Sequence, residues 1–283
     1  MNRRWFSSWR KVRAPAAVPD GIPSGLLAVY KPAGPSSADV VAKVKNLLMA
    51  GARMSNNDRR SKARLKVGHG GTLDPMATGV LVLGIGNGTK MMESYLKGNK
   101  GYRAVAKLGI GTDTLDRTGA ETSNLPWEHV TLDELRRVSE QFKGDIMQVP
   151  PMYSALRSSG VRLHTLARQG VVVERPPRPV TVFALEVSDR TPTPDASALK
   201  LPEYSLDVEC SGGFYIRSLI ADIGETCNTA SVMMELERTR QGPFTLDDCI
   251  IPADWNNFQL MCDHIVKCSA LAGIDPDSLT TLK

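Results

Sequence analysis

The chain has 283 residues, 42% hydrophobic and 23% charged, and its 35 Lys and Arg against 30 Asp and Glu leave a net charge of +5. These proportions suit a soluble globular protein with an ample core in one large or two modest domains, and the basic excess favours a polyanionic partner. No apolar run reaches the roughly 18 residues of a membrane span, and the five cysteines (Cys210, Cys227, Cys249, Cys262, Cys268), an odd number with no C-x-x-C pair, argue for a reduced compartment without structural zinc.

Residues 1–20 differ from the rest. Arg3, Arg4, Arg10, Lys11 and Arg13 meet no acid before Asp20. On a helix Trp5, Trp9 and Val12 share one face, and Pro15 and Pro19 end it. This is the pattern of a mitochondrial targeting segment; a basic tail that touches RNA or carries a nuclear address is the alternative. Leu26–Tyr30 reads as a buried strand and 31–35 as a turn. Ser36 or Ser37 then caps a helix with Val40, Val41, Val44, Leu47 and Leu48 on one face. Residues 49–66, with six Arg and Lys against Asp58, read as a loop that either lies along phosphates or is simply solvated.

Next comes the densest signal, Gly68-His69-Gly70-Gly71-Thr72-Leu73-Asp74-Pro75-Met76-Ala77-Thr78-Gly79, followed by the apolar run Val80–Ile85. Glycines let a backbone turn tightly and approach a ligand, and the run behind them supplies a rigid floor. Taken alone, Asp74 is a nucleophile, a general base, a metal ligand or the cap of an Asp-Pro turn. Beyond it, Thr89–Leu96 reads as helix, Tyr102–Leu108 as an alternating strand and Thr112–Gly119 as a polar turn. Thr131–Glu134 is a capping box opening a helix to about Phe142. Residues 146–180 are irregular and rich in Pro, Gly and Arg, with a short helix at Leu163–Gln169 stopped by Gly170. Strands follow near Val180–Val187, Tyr204–Cys210 and Val232–Arg240. A helix runs from Arg217 to Ile223 and a last one occupies 263–273. His129, His164 and His264 read as surface residues, and Met91, Met92, Met233 and Met234 as core.

The stretch from Gly68 to Leu81 resembles the catalytic motif of the TruB-type pseudouridine synthases, the tRNA pseudouridine-55 synthases, which isomerise a uridine in the T-arm of tRNA. The resemblance covers about residues 25–250. It implies that Asp74 is the catalytic aspartate and that Tyr102, in the next strand, is the active-site tyrosine. Arg217, in Gly213-Phe214-Tyr215-Ile216-Arg217-Ser218, is similar to the arginine that pairs with that aspartate. Asp116, in Thr112-Asp113-Thr114-Leu115-Asp116, is similar to a second acidic position that orients Arg217 or Tyr102, or caps its own turn. Lys31, in a Lys-Pro-x-Gly motif, supports the site from beside it. His69 fills the place vacated by a flipped base, or else hydrogen-bonds within its own loop. Residues 146–180 resemble the thumb loop that clamps the T-arm, so Arg157, Arg162, Arg168, Arg178 and also Arg175 are expected phosphate contacts.

The resemblance further implies an α/β (α+β) catalytic domain around a bent, mainly antiparallel mixed sheet flanked by helices, with the cleft across the sheet's middle. The expected layout is a basic extension at 1–24, the catalytic domain at 25–250 and a helical tail at 251–283 without the PUA domain of bacterial members. The implied substrate is tRNA, with mRNA hairpins of T-arm shape as a further one; no membrane, no obligate protein partner and a monomeric state are expected.

The implied reaction suits these residue types. Uridine loses its N1–C1′ bond, turns over and forms a C5–C1′ bond, with no net change of electrons or atoms, so neither metal nor redox cofactor is needed. An ionised carboxylate is required to hold sugar or base meanwhile. A neighbouring Arg is expected to lower the carboxyl pKa by about 1–3 units and to grip it in a two-pronged pair. Tyr102 stacks on the base. Reaching a base inside a folded loop means extruding it, at a cost of a few kcal/mol. Three other readings stand beside this one: a guide-RNA-dependent synthase of the dyskerin type, which lacks the thumb; an RNA-folding chaperone, which needs none of Asp74, Tyr102 and Arg217; and a sugar-active hydrolase using Asp74 with Asp116.

Overall fold

The computed structural model describes residues 21–55, 65–158, 160–191, 198–275 and 281–282. The basic N-terminal stretch and residues 56–64 lie outside the described residues. The chain opens with β1 (Ile22–Pro23) and β2 (Gly25–Lys31), then α1 (Ser37–Ser55), β3 (Val67–His69) and β4 (Thr78–Ile85). Next are α2 (Met92–Lys97), β5 (Lys100–Leu108), the paired β6 (Ile110–Thr112) and β7 (Glu121–Asn124), α3 (Leu132–Ser139) and β8 (Gly144–Gln148). The small hairpin β9 (Arg157–Ser158) and β10 (Val161–Arg162) leads into α4 (Leu163–Arg168), then β11 (Arg178–Ser188) and β12 (Glu203–Cys210). The remainder is α5 (Ile216–Thr226), β13 (Ser231–Gln241), β14 (Phe244–Thr245), α6 (Phe258–Leu271) and β15 (Thr281–Leu282), which pairs with β1.

The main sheet runs β2-β4-β13-β5-β12-β11-β8, with β3 on β4 and β14 on β13. Its neighbours are antiparallel except β4 and β13, so the mixed, mainly antiparallel sheet expected above is present. At one end, β2 and β4 are buried along almost their whole length, the mark of strands covered on both faces. Leu27, Val29, Leu81 and Leu83 pack against α1 and α6, while Leu26, Ala28, Val80 and Val82 pack against Met92, Tyr95 and Phe244. At the other end one face of β5, β11, β12 and β13 packs on α3 and α5, with Tyr204, Leu206, Leu219, Ile220 and Leu135 at its centre. The site lies where these two cores meet.

Several boundaries differ from the reading of the sequence, each because of tertiary packing. The stretch 49–55, read as loop, continues α1: Gly51 lies so close to Phe258 that a Cβ there would sit 2.4 Å from the ring. Residues 146–148 and 178–179, read as irregular, belong to β8 and the start of β11, which pair from Arg178↔Gln148 to Val182↔Gly144. Only Gln148 of β8 is fully buried, so the hydrophobic alternation that betrays a strand is missing. The last helix begins at Phe258 and is part of the core: Met261, Cys262, Ile265 and Cys268 are buried, and Ser269 Oγ accepts the Leu26 N–H at 3.0 Å. A buried side chain of this size contributes about 1.5–3 kcal/mol, so α6 holds β2 rather than trailing from it. Met92 and Met233 are core as expected. His129 is exposed, as expected, with Nε2 2.9 Å from the Cys227 carbonyl, whereas His264 is half-buried and so not a plain surface residue.

Candidate active site

The loop of residues 70–79 is built from the inside outward. Ser36 caps α1 together with Asp39, which turns the neighbouring Ser37 inward. Its hydroxyl accepts the Leu73 N–H at 2.8 Å and donates to the Leu73 carbonyl at 3.0 Å. Lys31, fully buried at the end of β2, donates its ammonium to the carbonyls of Pro32, Pro75 and Ala77 at 3.0, 3.0 and 2.6 Å. Burial, chiefly, pushes that ammonium down to about 8, against the pull of Asp74. Gln241 bridges loop and strand, donating to the Gly70 carbonyl at 2.7 Å and accepting the Val82 N–H at 3.1 Å. Gly79 takes φ +101°, and a Cβ there would lie 2.2 Å from the Arg238 carbonyl, so no other residue fits this close crossing of β4 and β13.

These ties leave Asp74 with 32% of its side chain exposed. Arg217, on the first turn of α5, meets it with a fork: Nε lies 3.1 Å from Oδ2 and Nη2 3.4 Å from Oδ1. The remaining donors of Arg217 go to the Thr114 carbonyl at 2.9 Å and the Tyr153 carbonyl at 2.8 Å. The helix start is braced on both sides of Arg217, by Gln148 exchanging hydrogen bonds with the Tyr215 backbone and by Ser218 donating to the Val149 carbonyl. Arg217 therefore ties the loop of Asp74, the turn at 113–119 and the base of the 146–180 segment together.

The charge balance on Asp74 corrects one expectation. Burial pushes its carboxyl above the ordinary range, Arg217 opposes this most strongly, Asp116 adds to the rise and Lys31 pulls down. The guanidinium limits the rise instead of producing a net fall, because partial removal from water penalises the carboxylate. Asp116 itself is buried, and its Oδ1 accepts from the Thr114 hydroxyl, the Thr118 N–H and the Thr118 hydroxyl at 2.9, 2.9 and 2.5 Å. Its Oδ2 lies 3.8 Å from Arg217 Nη1. Capping its own turn and orienting Arg217, left as alternatives by the sequence, thus occur together.

Tyr102 is half-buried in β5, within the electrostatic reach of Asp74, and burial raises its phenol above the usual value. His69 Nδ1 accepts the Gly71 N–H at 3.3 Å, the within-loop bond of the alternative reading. Among the five arginines expected on RNA, Arg168 and Arg178 are exposed, and Arg168 acts on Tyr153 and Arg178 on Tyr215, beside the site. The side chains of Arg157 and Arg162 lie outside the described residues. Arg175 is turned inward to the Pro150 carbonyl at 3.1 Å, so it braces the segment instead of offering itself to phosphate. Among the described residues no group of three His, Cys, Asp or Glu is arranged to hold a metal ion.

Ser37, Gln241 and Arg238 were missed by the sequence reading. Arg238 is fully buried in β13, donating Nε to the Val80 carbonyl at 2.7 Å and Nη2 to the Gly71 carbonyl at 3.2 Å. Its one legible signal was parity, since it follows Leu236 by two residues in a strand and so shares its buried face.

The model of the TruB family pseudouridylate synthase N-terminal domain matches residues 59–216, which include His69, Asp74, Tyr102 and Asp116 and stop one residue short of Arg217. The chain is 46% identical over 251 residues to pseudouridylate synthase TRUB1 of Homo sapiens, covering 88% of this chain and 69% of that protein. It is 42% identical over 227 residues to tRNA pseudouridine synthase B of Clostridium novyi (strain NT), covering 80% and 70%. Its fold is similar to a chain in a crystal structure of a Cbf5-Nop10-Gar1 complex, with a TM-score of 0.59 and 27% identity over 91% of this chain and 60% of that one. The chain belongs to the TruB family of pseudouridylate synthases.

Proposed function

We propose that this isomerase acts on tRNA, converting the T-loop uridine at position 55 to pseudouridine, with Asp74 as the nucleophile on a flipped-out base. The observation that carries the reading is the forked, partly exposed Asp74–Arg217 pair, with Arg217 also bound to Tyr153 at the foot of the thumb-like segment. The names of the relatives support a tRNA substrate, and the exposed Arg168 and Arg178 beside the site suit its phosphates.

The chemistry follows from the placement. The fork keeps the carboxylate charged and aimed despite burial. Attack by Asp74 holds base or sugar as N1–C1′ breaks. The uracil turns over, C5 bonds to C1′, C5 gives up its proton and N1 gains one, and the carboxylate departs unchanged. Tyr102, across the sheet from Arg238, offers a ring face for the uracil and His69 stands at the mouth of the loop. T-arm-like mRNA hairpins would present the same uridine, the chain acts as a monomer, and the Arg-rich stretch at 1–20 directs it to mitochondria or, as a nuclear address, to the nucleus.

Pseudouridine mapping on an unmodified tRNA transcript incubated with the pure protein tests the reading. The expected signal is at the T-loop uridine, and Asp74→Asn should lower turnover by at least about 10³-fold with tRNA affinity nearly unchanged. Appreciable turnover by that variant would remove Asp74 from the nucleophile role. Tight binding without modification by the wild type would shift the reading to a guide-dependent enzyme or a chaperone.

A further inference from the structure

Among the described residues Arg238 is the second-largest fully buried side chain, only 1% exposed. Among the described residues it forms no ion pair with a carboxylate. The cations Lys31 and Lys100 are close enough to be repelled by it. A guanidinium in such a place is costly, and an apolar side chain of similar volume would fill the space more cheaply. Its bonds show where it is used. Two of its N–H groups hold the carbonyls of Val80 and Gly71, beside the loop of Asp74. Across the strands it faces the Tyr102 phenol, within its electrostatic reach.

The backbone is arranged to allow this. Arg238 lies directly opposite Tyr102 on β5 and opposite Gly79 on β4. Gly79, without a Cβ, lets β4 close onto the Arg238 backbone, so that the side chain passes beneath the loop from the strand next to Tyr102. One cation thus holds the loop that carries Asp74 and faces the ring across from it.

We propose that Arg238 is a positioning residue of the isomerisation: it holds the Tyr102 ring in fixed register with the Asp74 loop, and acts on the uracil only through Tyr102. The inference rests on the reading that Tyr102 faces the base. The charged and titratable groups around this pair are Asp74 and Cys210 on the Tyr102 side, and Cys249, Lys31 and Lys100 on the Arg238 side.

Two measurements test it. In the first, Arg238→Gln is made in the wild type and in Tyr102→Phe, and single-turnover pseudouridine formation is followed. Arg238→Gln should slow the wild type by about 10²-fold but Tyr102→Phe by less than about threefold, with tRNA affinity held throughout. Equal losses in both backgrounds would mean that Arg238 merely supports the fold, and would overturn the proposal. The second is an ultraviolet titration without RNA, with the Tyr102 signal isolated by subtracting Tyr102→Phe. The Tyr102 phenolate should form at higher pH in Arg238→Gln than in the wild type; an unmoved titration refutes the coupling. If the wild type makes no pseudouridine, the functional reading falls while the titration still decides the Arg238–Tyr102 coupling. Should Arg238→Gln fail to fold, Arg238→Lys, which keeps the charge but not the fork, carries the same two measurements.

Discussion

Arg217 decides how Asp74 behaves, because it is the strongest influence opposing burial on that carboxyl. In the nucleophile role proposed for Asp74 a carboxylate must be ionised, so activity should be full above its raised pKa and fall as the pH drops through it. Arg217→Met removes the downward pull and leaves the upward ones. The acid limb of the rate profile should therefore move to higher pH, and single-turnover rates across a pH series would reveal it. Arg217→Lys keeps the charge but cannot reproduce the fork, so turnover should fall by about 10²-fold with a smaller displacement of the limb. Near-normal rates for Arg217→Lys would assign Arg217 to packing or RNA binding.

At the scale of elements, the loop of 70–79 is fixed by tethers from two strands and one helix: Lys31 of β2, Ser37 of α1, and Arg238 and Gln241 of β13. Each buried bond contributes about 1 kcal/mol, and together they remove the freedom a glycine-rich loop would otherwise keep. The glycines then matter by position. Gly79→Ala places a Cβ 2.2 Å from the Arg238 carbonyl at φ +101°, whereas Gly213→Ala, at φ +80°, meets nothing within 4 Å. The positive φ alone costs about 1–3 kcal/mol at either site. Urea unfolding should thus show Gly79→Ala to be clearly the more destabilised, with activity lost as β4 and β13 are pushed apart. Equal losses would mean that the crossing can open without penalty.

For the whole molecule, the segment 146–180 is not one detachable loop. Its ends are β8 and β11, which pair with each other, and Ile146, Val180 and Val182 join the core. Removing all of it would break the sheet and the Tyr153 contact of Arg217. Replacing only 157–172 with a short Gly-Ser linker keeps both and removes Arg157, Arg162 and Arg168. Each phosphate that is no longer neutralised should make log K against log salt shallower by about 0.7–0.9. We expect the trimmed protein to bind tRNA more weakly, with a slope shallower by about 2, and to fold as stably as the wild type. An unchanged slope would show that these arginines do not meet phosphate.

The principal strands β2, β4, β5, β11, β12 and β13, the helices α1 to α5 and the glycine-rich loop of Asp74 with the apolar floor of β4 were legible from one sequence, because they rest on local patterns: alternation, caps, glycines and a long ordered motif. Family resemblance supplied what spacing could not, namely that residues 74, 102 and 217 belong together. Three-dimensional packing alone decided the rest. It extended α1 past the polar stretch because Phe258 waits beside Gly51, and it turned residues 144–148 into a strand because β11 offers a partner. Arg175 was drawn inward to the Pro150 carbonyl, and Ser37, Gln241 and Arg238 were placed on a loop remote from two of them in sequence. Desolvation also raised the Asp74 carboxyl despite the arginine beside it. These outcomes depend on how far each group is removed from water and on which distant backbone groups it meets there. Neither quantity is a property of a residue and its neighbours along the chain.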